Sequence, residues 1–146
     1  MMDTVKSFSA MLRRTLGEHL EPGAETFVQM FAEDGVMEFP YAPPGVPQRV
    51  EGRQALAAHL EFLASVIEFG SVSDVARHET GETGVFILEF AGFGRGQETG
   101  EPYEQRYISV IRVRDGHIVH YRDYWNPIEV LRTLKGRPFV ESLIAS

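Results

Sequence analysis

Two long apolar, aromatic-rich runs flank Arg114-Asp115-Gly116 and together fill residues Tyr103–Pro127. Such runs around an Asp-Gly pair read as a β-hairpin, because that dipeptide tolerates the positive φ of a tight turn. Alternation along the second run places Val119, Tyr121, Asp123 and Trp125 on one face, with His120, Arg122 and Tyr124 on the other. Asp123 thus falls between two aromatics on the more enclosed face. A carboxylate there must be paired, hydrated or protonated, since uncompensated burial of its charge is costly. The bland account pairs it with Arg122, Arg106 or Arg112 at the sheet edge. Against that account, aspartate is depleted in strands, and Arg122 points to the opposite face. In an apolar site the Asp123 pKa would rise, which suits a general acid or base near neutral pH.

The elements before the hairpin set its context. Residues 4–20 place Val5, Phe8, Leu12, Leu16 and Leu20 at helical spacing, and Pro22-Gly23 ends that helix. A second helix is predicted over 24–33, with an exit at Asp34-Gly35. Val36 to Tyr41 reads as a short strand on which Met37, Phe39 and Tyr41 share a face; the loop Pro40 to Pro47 cannot continue it. The spacing predicts a helix over 54–67, with Leu56, His59, Leu60, Leu63 and Ile67 on one stripe. Strands follow over 72–79 and 85–93, and Gly92 to Pro102 reads as a loop. Asn126 and Pro127 cap and start a last helix that ends near Gly136, and the tail 137–146 orders only if it docks. Helices followed by consecutive strands give an α+β class: one domain over 1–146, with helices packed on one face of a curved sheet around a pocket.

Composition narrows the function. The chain of 146 residues carries a formal net charge of −7 and no cluster of Lys and Arg beyond short pairs. Nucleic acid and anionic membrane are poor partners for such a surface. The absence of cysteine excludes disulfides, thiol catalysis and thiolate metal sites. No metal is expected, because the five histidines lack ligand-type spacing. No signal peptide is read at the N-terminus and no apolar run approaches the ~18 residues of a membrane span, so cytoplasm is the expected compartment. The glycine-rich stretch Gly92-Phe93-Gly94-Arg95-Gly96 lacks the helix start and Lys-Ser/Thr pair of a phosphate loop. No G-x-S-x-G elbow occurs.

His59 lies on the apolar stripe of the 54–67 helix. It is either a satisfied core histidine or, if it meets Asp123 across a pocket, a partner in proton transfer. Tyr103 and Tyr107 share a strand face with Gln105, Ser109, Ile111 and Val113. They serve either cross-strand packing or orientation of a substrate oxygen through their hydroxyls. Phe39, Tyr41, Tyr121 and Trp125 are wall residues of the same expected pocket.

The phrases FAEDGVMEFPY, EGRQALAAHL and RDGHIVHYRDYWNP, in that order, resemble the SnoaL-like branch of the NTF2-like (ketosteroid-isomerase-like) superfamily from about Ala24 to Leu134. The resemblance implies a conical α+β barrel with one deep apolar pocket. It also implies a homodimer through the outer sheet face, with Ile108 and Val110 as interface candidates. Ketosteroid isomerases carry acids at the positions of Phe39 and Ser109, so their mechanism is not expected here. Limonene-epoxide-hydrolase-like members share a motif close to Tyr121-Arg122-Asp123-Tyr124-Trp125-Asn126, but their Arg-x-Asp near Glu89 to Gly92 is missing. Phenazine-biosynthesis A/B proteins are similar over EGRQALAAHL, GEPYEQRY and GHIVHYRDYWNPIEVLRTL. That likeness implies catalytic roles for Asp123, in place of a Glu, and His59, with Tyr103 in the pocket. Asp is one methylene shorter, which moves its carboxyl away from the same substrate atom by about a bond length, a distance that matters for proximity. The expected function is cofactor-independent acid–base catalysis, of isomerase, cyclase or condensation type, on a small cyclic or polyketide-like carbonyl compound. The alternative is a non-catalytic small-molecule-binding or dimerisation module with the same pocket.

Overall fold

The computed structural model describes residues 5–145. Its elements are α1 (Lys6–Leu16), a 3₁₀ turn (Gly17–His19), α2 (Phe27–Met30), β1 (Phe31–Glu38), β2 (Arg49–Glu51), α3 (Arg53–Val66), β3 (Ile67–Val72), β4 (Ala76–Glu79), β5 (Val85–Gly96), β6 (Pro102–Arg114), β7 (His117–Trp125), α4 (Pro127–Lys135) and α5 (Arg137–Ser142). One curved sheet runs in the order β2-β1-β7-β6-β5-β3, with β4 also paired to β5. All pairs are antiparallel except β1 with β7. Helices α1, α3 and α4 pack against the sheet and close it around an apolar interior.

The β6–β7 hairpin turns at Asp115 and Gly116, with φ of 51° and 80°. Two positive φ values in a two-residue loop match the right-handed twist of the strands, as the Asp-Gly signal predicts. Along β6, Tyr103, Gln105, Tyr107, Ser109 and Ile111 are all buried, while Glu104, Arg106 and Ile108 are exposed. Asn126 caps α4 by accepting from the Ile128 N–H at 2.9 Å, and Pro127 takes the first turn where its missing N–H costs nothing.

Several expectations are corrected. The second helix is a single turn rather than 24–33. Thr26 and Gln29 form its capping box, and Phe31 already belongs to β1, paired with Ile118 of β7. Packing decides this: the Phe27 and Phe31 rings lie 5.3 Å apart and both meet Tyr121. Gly35 is therefore not a helix exit but part of an irregularity between Phe31 and Val36, where a Cβ would come 2.9 Å from the Ile118 carbonyl oxygen.

The expected strand 72–79 is two strands. β3 takes Ile67, which the helical pattern assigns to α3, and pairs with the Gly92–Gly96 end of β5; β4 pairs with its Phe86–Glu89 end. The glycine run is thus strand, not loop. At Gly94 a side chain would put Cβ 2.2 Å from the Glu68 carbonyl oxygen, so glycine is what lets β3 approach.

Val119 does not share the inner face with Tyr121 and Asp123. Arg112 pairs with His120 and Val113 with Ile118, so Val119 is an extra residue in a β-bulge and Ile118 turns inward, fully buried. The tail, expected to order only if it docks, forms α5 after Gly136, whose φ is 94°, and packs against α4.

Candidate active site

Asp123 and Ser109 are direct cross-strand partners on β7 and β6, and both point inward. The Ser109 hydroxyl donates to Asp123 Oδ1 at 2.9 Å. Asp123 is buried, and the removal of water pushes its carboxyl up to about 7, although the Ser109 bond pulls the other way. No Lys, Arg or His side chain forms an ion pair with Asp123 among the described residues, so neither Arg106, Arg112 nor Arg122 neutralises it. At neutral pH the carboxyl is poised between its two protonation states.

The carboxyl opens onto a cavity of about 110 Å³. Rings from several elements line it, among them Phe39, Phe69, Phe90, Tyr121 and Trp125. Phe62, half exposed, and Val46 also line it, which places an entrance between α3 and the loop after β1. Tyr103 and Tyr107 lie on the same inner face of β6, and their hydroxyls meet at 2.6 Å. One hydroxyl proton sits between the two oxygens, so the pair retains one proton to donate elsewhere. Burial holds both phenols, and that of Tyr121, well above their ordinary pKa. They act as neutral donors rather than bases.

The tyrosine pair is held by its surroundings. Tyr107 stacks on Phe90 at 4.9 Å and meets Phe8 edge-on at 5.6 Å. Gly92 makes room for it, since a Cβ there would lie 2.9 Å from Tyr107 Cε2. Gln105, fully buried, donates to the Asn126 carbonyl at 3.0 Å and accepts from the Asn126 N–H at 2.8 Å. This clip fixes the corner after Trp125. The sequence reading placed Gln105 on the right face but gave it no role; a polar side chain inside an apolar alternation is the signal that could have found it.

The other candidates fall elsewhere. His59 is buried in α3 and does not line the cavity or bond to Asp123. Its ring lies 5.0 Å from that of Phe39, which does line the cavity and approaches Trp125 at 6.2 Å. Burial pulls the His59 pKa down, so the ring is neutral near pH 7. Among the described residues no hydrogen bond or ion pair joins His59 to Asp123, and the ring that His59 meets is that of Phe39. Tyr41 is exposed and packs on Tyr124 at 5.4 Å, outside the cavity; the chain has turned at Pro40. Ser109 reaches the cavity only through Asp123. Among the described residues no three His, Asp or Glu side chains come together as metal ligands would.

The SnoaL-like domain profile matches residues 13–121. An uncharacterised PhzA/B-like protein of Pseudomonas aeruginosa is 42% identical over 118 residues, which are 80% of this chain and 83% of that protein. The crystal structure of an inferred isomerase from Bacillus subtilis is 37% identical, covers 94% of this chain and 98% of its own, and superposes with a TM-score of 0.75. A phenazine biosynthesis-related protein of Pseudomonas aeruginosa shares the fold at 22% identity and a TM-score of 0.67, covering 86% of each chain. With its curved sheet, enclosing helices and apolar cavity, the chain belongs to the SnoaL-like family of the NTF2-like, ketosteroid-isomerase-like fold.

Proposed function

We propose that the protein is an acid–base catalyst of isomerase or cyclase type, acting on a small carbonyl compound with Asp123 as the proton carrier. The observation that carries this reading is a lone buried carboxyl, held at about 7 and facing an open cavity. In the ionised form Asp123 takes a proton from the carbon next to a substrate carbonyl. The C–H electron pair becomes the new C=C bond, and the carbonyl electrons move onto oxygen. The free hydroxyl proton of the Tyr103–Tyr107 pair is the donor available to that oxygen. Asp123 then returns its proton to carbon. The steps draw on side chains alone and need no cofactor. The names of relatives as isomerase and phenazine-biosynthesis protein support the class, and His59 takes no proton in it.

A homodimer through the outer sheet face belongs to the same proposal. Ile108 is half exposed there, beside Val110 on β6. No helix of the described residues is long and apolar enough to cross a membrane.

The separation of His59 from Asp123 favours a second reading, a pocket that binds without reaction. Exchange of the α-hydrogens of cyclohexanone in D2O separates the two. Catalysed exchange by the wild type that falls to background in Asp123→Asn supports the enzyme. Equal exchange by both proteins, or saturable binding without exchange, contradicts it.

A further inference from the structure

The cavity holds one acid and no base. Among the described residues none of the lining side chains is Lys, Arg or His. Asp123 faces Tyr103, Tyr107 and Tyr121 there, all neutral. A carboxylate or phosphate ligand would lose its water in an apolar, aromatic space without a counter-charge and would meet the charge of Asp123. Ser109 occupies Oδ1 of that carboxyl, which leaves the other oxygen for a ligand. Size adds a second limit. A closed apolar cavity of about 150 Å³ accommodates benzene; this one, at about 110 Å³, takes one ring only with part of it in the entrance between α3 and the loop after β1.

We infer that the site selects an uncharged ligand no larger than a single ring, its oxygen directed at the polar end formed by Asp123 and the tyrosine pair. This rests on the reading of Asp123 as the proton carrier and narrows its substrates: anionic ring acids and fused-ring polyketides are excluded. The class of reaction that supplies the substrate must therefore leave a neutral monocyclic or short-chain carbonyl compound, with any acid group already esterified or lost.

Trp125 is the only tryptophan in the chain and lines the cavity, so its fluorescence reports occupancy. The wild-type protein is titrated at pH 8 with cyclohexanone, cyclohexanecarboxylate, cyclohexylammonium and 2-decalone. Cyclohexanone is expected to give a saturable response. The carboxylate should bind more weakly by on the order of 100-fold, as an unscreened like charge at close range requires. Asp123→Asn should narrow that gap, and the two-ring ketone should bind more weakly than the one-ring ketone. A carboxylate or decalone that binds as tightly as cyclohexanone overturns the inference, as does an ammonium that binds more tightly. No response to any probe up to its solubility limit also overturns it. Failure of the proton-transfer reading shows up separately, as selective binding of cyclohexanone without isotope exchange.

Discussion

Two carboxyls on opposite faces of the same sheet are driven in opposite directions. Glu38 of β1 pairs across the ladder with Arg122, the residue beside Asp123. On the outer face His120 bonds to Glu38 and holds its pKa below the ordinary value, with further help from the charges of His120, Arg49 and Arg122 against a partial loss of water. On the inner face Asp123 has one hydroxyl and no cation, and burial lifts it to about 7. The chain thus spends one acid on an ordinary surface pair and keeps the other able to gain and lose a proton at neutral pH. The difference lies in which face a residue occupies, and alternation along the strand decides that.

The largest expected effect follows from removing the inner carboxyl. Asp123→Asn should lower catalysed proton exchange by about 10²–10⁴-fold, the usual contribution of a positioned acid or base. Exchange rates in D2O check this against a folded-state control by circular dichroism.

Stability should show the same contrast. In the unfolded chain Asp123 ionises near 3.8, while in the folded chain it keeps its proton to about 7. Between those values the folded state binds the extra proton, so rising pH lowers stability and the loss levels off above about 7. Each unit of that gap is worth about 1.4 kcal/mol, so the wild type should lose a few kcal/mol from pH 4 to pH 8. Urea unfolding of wild type and Asp123→Asn across that range should show the asparagine variant relatively more stable as pH rises. A constant difference would break the comparison.

Ser109→Ala removes the one bond that favours the charged carboxyl. The cost in stability should be about 1 kcal/mol. The rising limb of the exchange-rate profile should move to higher pH by about one unit, a shift of that energy. A structural role alone would lower the rate without moving the limb. The smallest effect belongs to the outer face. The Glu38 side chain is 33% exposed, so its pair contributes at most about 1 kcal/mol. That contribution is present above its ordinary pKa of 4.5 and is lost as pH falls through the lowered value. Glu38→Gln should therefore differ from wild type slightly at pH 7 and less at pH 3, the reverse of Asp123→Asn.

Much of the inner face was legible in the sequence. Strict alternation in 103–111 identified Tyr103, Tyr107 and Ser109 as facing one way, and the aromatic neighbours of Asp123 marked its burial. What local pattern could not carry was register. The extra residue at Val119 leaves no signature in an apolar run, and it reverses which of Ile118 and Val119 points inward. The same limit hid the partner of Asp123. Only the pairing of β6 with β7 shows that Ser109 stands directly opposite. His59 shows a different limit: its helical stripe predicts burial, but not that the ring across from it is Phe39 rather than the acid. The glycines of β5 read as a loop because their reason is the approach of β3, a strand some 25 residues earlier in sequence.

The central claim is that Asp123 titrates near neutrality because of where it sits. Carbon-detected NMR of side-chain carboxyls, assigned by comparison with Asp123→Asn, follows its ionisation directly. The account predicts a midpoint near 7 for Asp123, with Glu38 titrating below 4.5 in the same sample. A midpoint for Asp123 near 3.8, the ordinary value, would contradict it.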